Sequence, residues 1–340
     1  MKKQKELEIL LDKTKNSANY DINVKNVMKF IETNQPKSLF RYRVCNEYSL
    51  DSFNKDTIYF NHASRFNDPY DCLVFVDNKK VLNEIDFIKI ENVLALNNAL
   101  HSNANIESNQ SEFLSKIKEV TPREINEKAL MDILNTLKKH IKENFLSQGY
   151  QTNEYFKNYL QMACFSEDYK NPLMWSHYAD FHKGFVLEYS TDSLQNACKD
   201  CNKICPNRSS LLLMPIVYTK NRYDATDLVS ALTMKDIVGS QFGDFNLWKI
   251  SDMLSYYKTA IYKNTIWKYE KEWRLFYINP NDIDCVYDIK PVAIYLGCRI
   301  KDVYKKFLIT LAKEKKIKIY IMSENSDKQK YKLTAKELKY

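Results

Sequence analysis

Glycine is nearly missing from this chain. Five occur in 340 residues, at Gly149, Gly184, Gly239, Gly243 and Gly297, and no two lie within three positions of each other. A dinucleotide fold needs G-x-G-x-x-G for close backbone approach, a P-loop needs G-x-x-x-x-G-K, and a hydrolase elbow needs G-x-S-x-G; none can be written with these five. Five histidines with no H-E-x-x-H and no H-x-E likewise remove the common zinc hydrolases and deaminases. Any chemistry here must use another scaffold.

The chain is longer than a single core usually supports, so it is one large domain with insertions or two domains. The longest apolar run, around Leu211 to Tyr218, is too short to span a membrane. The opening MKKQKELEILLDKTKNS lacks the apolar centre of a signal peptide, so a soluble, cytoplasmic protein without membrane contact is expected. In that setting the eight cysteines read as reduced thiols. Cys198, Cys201 and Cys205 cluster, but with Leu194 they follow helical spacing, and no histidine is near in sequence; a buried helix face is the expectation, and no metal site. Net charge is +8, and residues 301–340 hold twelve lysines against five acids. That segment is either a solvated surface or a dock for nucleic acid or another acidic partner.

Residues 1–36 read as two polar helices, the second capped by Asp21 and ended by Gln35-Pro36. From 37 to 340 the pattern is a single α+β domain with helical insertions at about 80–160 and 191–264. Strands are expected at 39–43, 57–60, 72–76, 161–165, 185–189, 214–218, 272–278, 286–289, 292–296 and 317–322. Asn67-Asp68-Pro69 makes a turn. Within the first insertion, Thr121-Pro122 starts an amphipathic helix carrying Leu134, Leu137, Ile141 and Phe145, after a polar stretch at 101–111. Asn171 caps a helix that begins at Pro172 and runs from Leu173 to Phe181; Gly184 then turns the chain in the left-handed region. Residues 191–206 and 224–264 are expected to be helical. The whole describes a split or curved mixed β-sheet core with added helices.

Four clusters break the apolar-in, polar-out rule: Phe40-Arg41-Tyr42-Arg43; Asn67-Asp68-Pro69; Cys164-Phe165-Ser166 with Met174-Trp175-Ser176-His177-Tyr178; and Tyr269-Glu270-Lys271-Glu272-Trp273-Arg274. Strand alternation places Glu270, Glu272 and Arg274 on one face, if the strand begins that early, and Leu39, Arg41 and Arg43 together on another. Each candidate has a plain alternative: a surface arginine, a charged strand end, a turn at Asn67-Asp68, a capping Ser166, core aromatics at Trp175 and Tyr178. His177 is expected to hydrogen-bond rather than to bind metal.

The wording of these motifs, LFRYR, FNDPYD, CFSED with MWSHYADFHKGFVLEY, and KYEKEWRLFY followed by IYLG, resembles a bacterial family, domain of unknown function 2971, over roughly 39–300. The layout also resembles the arginine–serine–glutamate ADP-ribosyltransferases, although Cys164-Phe165-Ser166 stands where those enzymes have S-T-S. That second resemblance implies an NAD-dependent ADP-ribosyltransferase on a split sheet, a toxin or antiviral-defence effector acting on a macromolecular acceptor. It implies Glu272 and Glu270 as catalytic carboxylates, Arg41 on the diphosphate, and Trp175 or Tyr178 stacked on a ring of NAD. Tyr42, Asn67, Asp68, Ser166, His177, Lys183 and Arg274 would complete the NAD site. A non-catalytic nucleic-acid or protein-binding module and a metal-dependent nuclease using Asp68, Asp71, Glu270 and Glu272 are the competing readings.

Overall fold

The structure, a computed structural model, describes residues 2–15, 19–88, 127–148, 151–195, 211–238, 254–277, 286–324 and 331–339. Its strands are β1 (Ser38–Arg43), β2 (Thr57–Tyr59), β3 (Asn61–His62), β4 (Gln161–Ser166), β5 (Phe185–Ser190), β6 (Leu211–Pro215), β7 (Val217–Thr219), β8 (Tyr262–Asn264), β9 (Glu272–Tyr277), β10 (Val286–Asp288), β11 (Ala293–Leu296), β12 (Lys318–Glu324) and β13 (Leu333–Glu337). One mixed sheet runs β13-β12-β11-β5-β1-β4-β9-β6, with β3 added against β4. Its β11–β12 pair is parallel and the rest are antiparallel.

The sheet has a seam. β1 pairs with β5 along its whole length, from Ser38↔Ser190 to Arg43↔Phe185. β4 pairs with β9 along its whole length, from Gln161↔Tyr277 to Ser166↔Glu272. Between β1 and β4 the register records one pair, Phe40↔Ser166, and the far end of β4 is joined by β3 instead.

Alternation sorts the core as a pleated sheet must. Leu39, Leu187, Ile294 and Ile319 enter a large core that also takes Leu7 and Leu11 of the helix Lys2–Lys13, Val27 and Ile31 of the helix Tyr20–Asn34, and Leu308 and Leu311 of the helix Asp302–Glu314. Phe40, Tyr42, Val186 and Tyr295 enter a second core against Met174, Trp175 and Ala179.

Several expectations need correction. Asn19, not Asp21, precedes the second helix, and Asp21 lies within the first turn, where its charge favours the helix dipole. Residues 72–76 form no strand: Cys72 has φ 55, and only Phe75 makes an isolated bridge, to Asp224. The helix after Asn171 ends at Tyr178, because Asp180, Phe181 and His182 take the left-handed conformation instead of Gly184. Gly184 is needed for another reason: a Cβ there would meet the Arg43 carbonyl oxygen at 2.1 Å. Residues 224–264 are not continuously helical, since β8 pairs parallel to β7. The helix Glu47–Asn54, capped by Asn46, and the edge strand β13 had not been expected. Leu134, Leu137, Ile141 and Phe145 are buried as the stripe requires. Thr121-Pro122, the 101–111 stretch and Cys198, Cys201 and Cys205 lie outside the described residues.

No described helix is long and apolar enough to cross a membrane. The lysine-rich C-terminal segment supplies the helix Asp302–Glu314 and the strands β12 and β13 at the sheet edge, with β11 and β5 between them and β1.

Candidate functional site

The seam between β1 and β4 opens into a cavity of about 360 Å³. The register puts Phe40, Tyr42, Cys164, Ser166, Glu272 and Arg274 on one face of the sheet and Arg41, Arg43 and Phe165 on the other. The lining takes residues from both sets, Arg41, Arg43 and Phe165 from one and Cys164 and Glu272 from the other, with Glu270 beside them.

One end of the cavity is a buried ionic network. The chain enters it through a 3₁₀ helix, Thr265–Glu270, whose N-terminus is capped by Asn264 Oδ1 accepting from the Ile266 N–H at 3.0 Å. Lys271 then takes φ 47, and β9 begins at Glu272. Glu270 therefore does not share a strand with Glu272, contrary to the alternation argument. The left-handed residue between them still lets both carboxylates meet one cation: Lys263 Nζ, from β8, donates to Glu270 Oε2 at 2.6 Å and to Glu272 Oε2 at 2.9 Å. Arg274 Nε donates to Glu272 Oε1 at 2.7 Å, and its two terminal nitrogens grip Asp71 at 2.7 and 2.6 Å. The Ala260 carbonyl accepts a further bond from Arg274 Nη1 at 2.7 Å. Tyr178 donates its hydroxyl to Glu270 Oε1 at 2.5 Å, and the Glu272 N–H donates to the Tyr218 hydroxyl at 2.9 Å. Ser166 Oγ donates to the Glu270 carbonyl at 2.6 Å and so fixes that residue's backbone.

This network makes the two glutamates unequal. Burial, reinforced by the neighbouring Glu272 charge, raises the Glu270 carboxyl to about 6. Burial also opposes ionisation of Glu272, but Arg274 and Lys263 outweigh it and hold that carboxyl well below the usual range. Lys263 is disfavoured as a cation by its burial, yet Glu272, Asp71 and Glu270 together raise it above an ordinary lysine.

The other end is the reverse. Arg41 is 6 % exposed; its Nη2 donates to the Tyr59 carbonyl at 2.9 Å and its Nη1 is buried without a partner. Burial, together with the neighbouring Arg43 charge, lowers its pKa to about 9, so it remains a cation at neutral pH. Half-buried Arg43 and exposed Arg65 also line the cavity. None of the three is in a salt bridge with a carboxylate of the cavity; Asp71, Glu270 and Glu272 are bound to Lys263 and Arg274 instead.

The candidates read from sequence divide between the cavity and its surroundings. Arg41, Tyr42, Asn67, Ser166, His177, Tyr178, Glu270 and Glu272 line it. Tyr42 donates its hydroxyl to the Asp168 carbonyl at 2.5 Å, and Asn67 Nδ2 lies 3.5 Å from the Tyr178 hydroxyl. Four others do not line it. Trp175 is fully buried, with its indole N–H on the Tyr169 carbonyl at 2.7 Å, so no ring can stack on it. Asp68 closes its own turn by accepting from the Tyr70 N–H at 2.9 Å. Lys183 is exposed on the hook after the helix, its ammonium 5.9 Å from the Phe181 ring. Arg274, 1 % exposed, works behind Glu272 rather than in the cavity. Sequence reasoning missed Lys263 and Tyr218 as site residues and named Asp71 only for the nuclease reading. A lysine directly after the apolar run Ala260-Ile261-Tyr262 was the one local sign of Lys263.

No group of three or more His, Cys, Asp or Glu side chains among the described residues is arranged to hold a metal ion. A family model described as "Protein of unknown function (DUF2971)" matches residues 174–275, which bears out the resemblance read from the motifs. That stretch includes Tyr178, Lys263, Glu270, Glu272 and Arg274. No curated protein and no solved structure matches the chain.

Proposed function

We propose that the chain is an NAD-dependent ADP-ribosyltransferase whose site is the seam cavity, with an ADP-ribosyltransferase-like sheet as its scaffold. The observation that carries this reading is one cavity whose lining holds three arginines outside any salt bridge with its carboxylates, together with two glutamates of different acidity. Its volume falls within the usual range for small-ligand sites. A nucleotide diphosphate suits a lining with Arg41, Arg43 and Arg65, because none of the three is in a salt bridge with a carboxylate of the cavity and a charge-assisted pair is open to them.

NAD would supply an ADP-ribosyl group whose bond to nicotinamide breaks with positive charge developing on the ribose, as at the sugar in glycoside hydrolysis. Glu272, held ionised by Arg274 and Lys263, supplies a fixed negative charge at that end. Glu270, with its carboxyl near neutral, is suited to take a proton from the acceptor nucleophile. Tyr178 and Lys263 orient Glu270 through its two oxygens. The acceptor is a macromolecule, and the basic C-terminal strands offer a nucleic acid a surface outside the cavity. A role as toxin or antiviral effector belongs to the same proposal.

The nuclease reading is less well supported, since Asp71, Glu270 and Glu272 already share Lys263 and Arg274 as counter-ions. Incubation with labelled NAD and a cell lysate tests the proposal. Glu272→Gln should lose nicotinamide release by about 10²–10³-fold while still binding NAD. Intact NAD in the presence of lysate, RNA and DNA would remove the transferase, and unchanged ligand binding in Glu270→Gln and Glu272→Gln would then favour a binding module.

A further inference from the structure

Lys263 has an ordering role in the cavity that no sequence motif announces. Its ammonium faces charged or titratable groups on every element packed around it. These are Glu270 and Tyr269 on the 3₁₀ helix, Glu272 and Arg274 on β9, Asp71 in the turn before Cys72, Tyr178 on the helix Pro172–Tyr178, and Tyr218 on β7. The Trp267 ring lies beneath it at 5.2 Å. It is 8 % exposed, yet it lines the cavity.

The two glutamates depend on it unequally. Glu272 has Arg274 within hydrogen-bond distance of both oxygens, at 2.7 and 3.2 Å, in addition to Lys263. Glu270 has Tyr178, a neutral donor, on one oxygen and Lys263 on the other; no second cation among the described residues forms an ion pair with it. Without Lys263, Glu270 would be a buried carboxyl beside a permanently charged Glu272 with no counter-ion of its own. Two such neighbours cannot both ionise, and the one without a cation keeps its proton to higher pH.

We propose that Lys263 is a positioning residue for Glu270: by bridging both carboxylates it keeps them side by side and supplies the counter-charge that lets Glu270 ionise next to Glu272. Its meaning for catalysis rests on the transferase reading, but its effect on Glu270 does not. A purely structural Lys263 would hold the 3₁₀ helix to β9 and leave the proton equilibrium of Glu270 where it is.

Infrared titration of the full chain, without NAD, separates these roles. The protonated-carboxyl band that disappears in Glu270→Gln should have its midpoint near 6 in the unaltered protein. Lys263→Met should move that midpoint up by about one unit or more, a tenfold gain in proton affinity. Lys263→Arg, which keeps the charge, should leave it within a few tenths of a unit. The same midpoint in Lys263→Met as in the unaltered chain overturns the proposal, as does an equal displacement in both variants. Should Lys263→Met fail to fold, Lys263→Gln, polar but uncharged, takes its place: a midpoint raised by about one unit or more supports the assignment, and an unmoved one overturns it. Because no NAD is added, a chain that releases no nicotinamide sinks the transferase reading without deciding this one.

Discussion

The two ends of the seam cavity handle buried charge in opposite ways. At the carboxylate end each acid has a cation within hydrogen-bond distance, and Arg274 uses all three of its guanidinium nitrogens on protein oxygens. At the arginine end Arg41 keeps a buried nitrogen without a partner, and Arg43 stands close enough for its charge to disfavour that of Arg41. A buried network that is fully paired holds its own geometry. A buried charge that is not paired costs the folded state free energy until something outside the chain pairs with it. The first group is thus satisfied within the protein itself, whereas the second leaves a guanidinium nitrogen with no partner.

The sharpest way to break this contrast is to open the paired end. Arg274→Met leaves Asp71 without its bidentate partner and Glu272 with Lys263 alone, and should cost about 3–5 kcal/mol in urea denaturation. A loss below about 1 kcal/mol would mean that the network is not the structural anchor described here. The pH dependence tests the same end more finely. Glu270 binds its proton more tightly folded than unfolded, since its carboxyl rises from 4.5 to about 6. Its ionisation therefore costs stability that is absent below the unfolded value and fully present above about 6. The unaltered chain should lose about 2 kcal/mol relative to Glu270→Gln as pH rises through that window. A constant difference across pH would contradict it.

The unpaired end should respond in the opposite direction. Arg41 is a base whose folded pKa is depressed, so its charge opposes folding at neutral pH and the opposition fades as pH rises past about 9. Arg41→Met should raise stability by about 1 kcal/mol and weaken inorganic pyrophosphate binding, read by calorimetry, at least tenfold. Destabilisation with unchanged pyrophosphate affinity would make Arg41 an ordinary structural residue. The smallest effect concerns the backbone that joins the glutamates. Lys271→Gly relieves a left-handed residue at φ 47 and should change the unfolding free energy by no more than about 1 kcal/mol, toward stability. A larger loss would show that the Lys271–Asp168 ion pair at 3.1 Å outweighs the strain.

Much of the sheet could be read because its strands alternate. Leu39 and Phe40 entering different cores, and β4, β5, β9 and β11 falling within a residue or two of their expected bounds, follow from a period of two and a buried face. Asn171-Pro172 located a helix start because capping is local chemistry. The helix end could not be read in the same way. Glycine usually supplies the left-handed turn, but here Asp180, Phe181 and His182 do so, held by the His182 N–H on the Trp175 carbonyl at 3.2 Å and the Gly184 N–H on the Ala179 carbonyl at 2.8 Å. Trp175 could not be assigned from its type alone, because an aromatic ring looks the same in sequence whether it meets a ligand or a core.

The sequence by itself determined that glycine-rich nucleotide loops are absent, that the scaffold mixes strands with helical insertions, and that four polar clusters, with Arg41, Glu270 and Glu272 among their residues, break the apolar-in, polar-out rule. Each of those follows from composition or from neighbours a few positions apart. Only the tertiary structure decided that Lys263 bridges the two glutamates, that Arg274 supports one of them from behind, and that Asp71 completes the network. Those contacts join residues as many as 203 positions apart. They exist because the fold brings β8, β9, the 3₁₀ helix and the Asp71 turn together, and no periodicity along the chain records which distant segments meet.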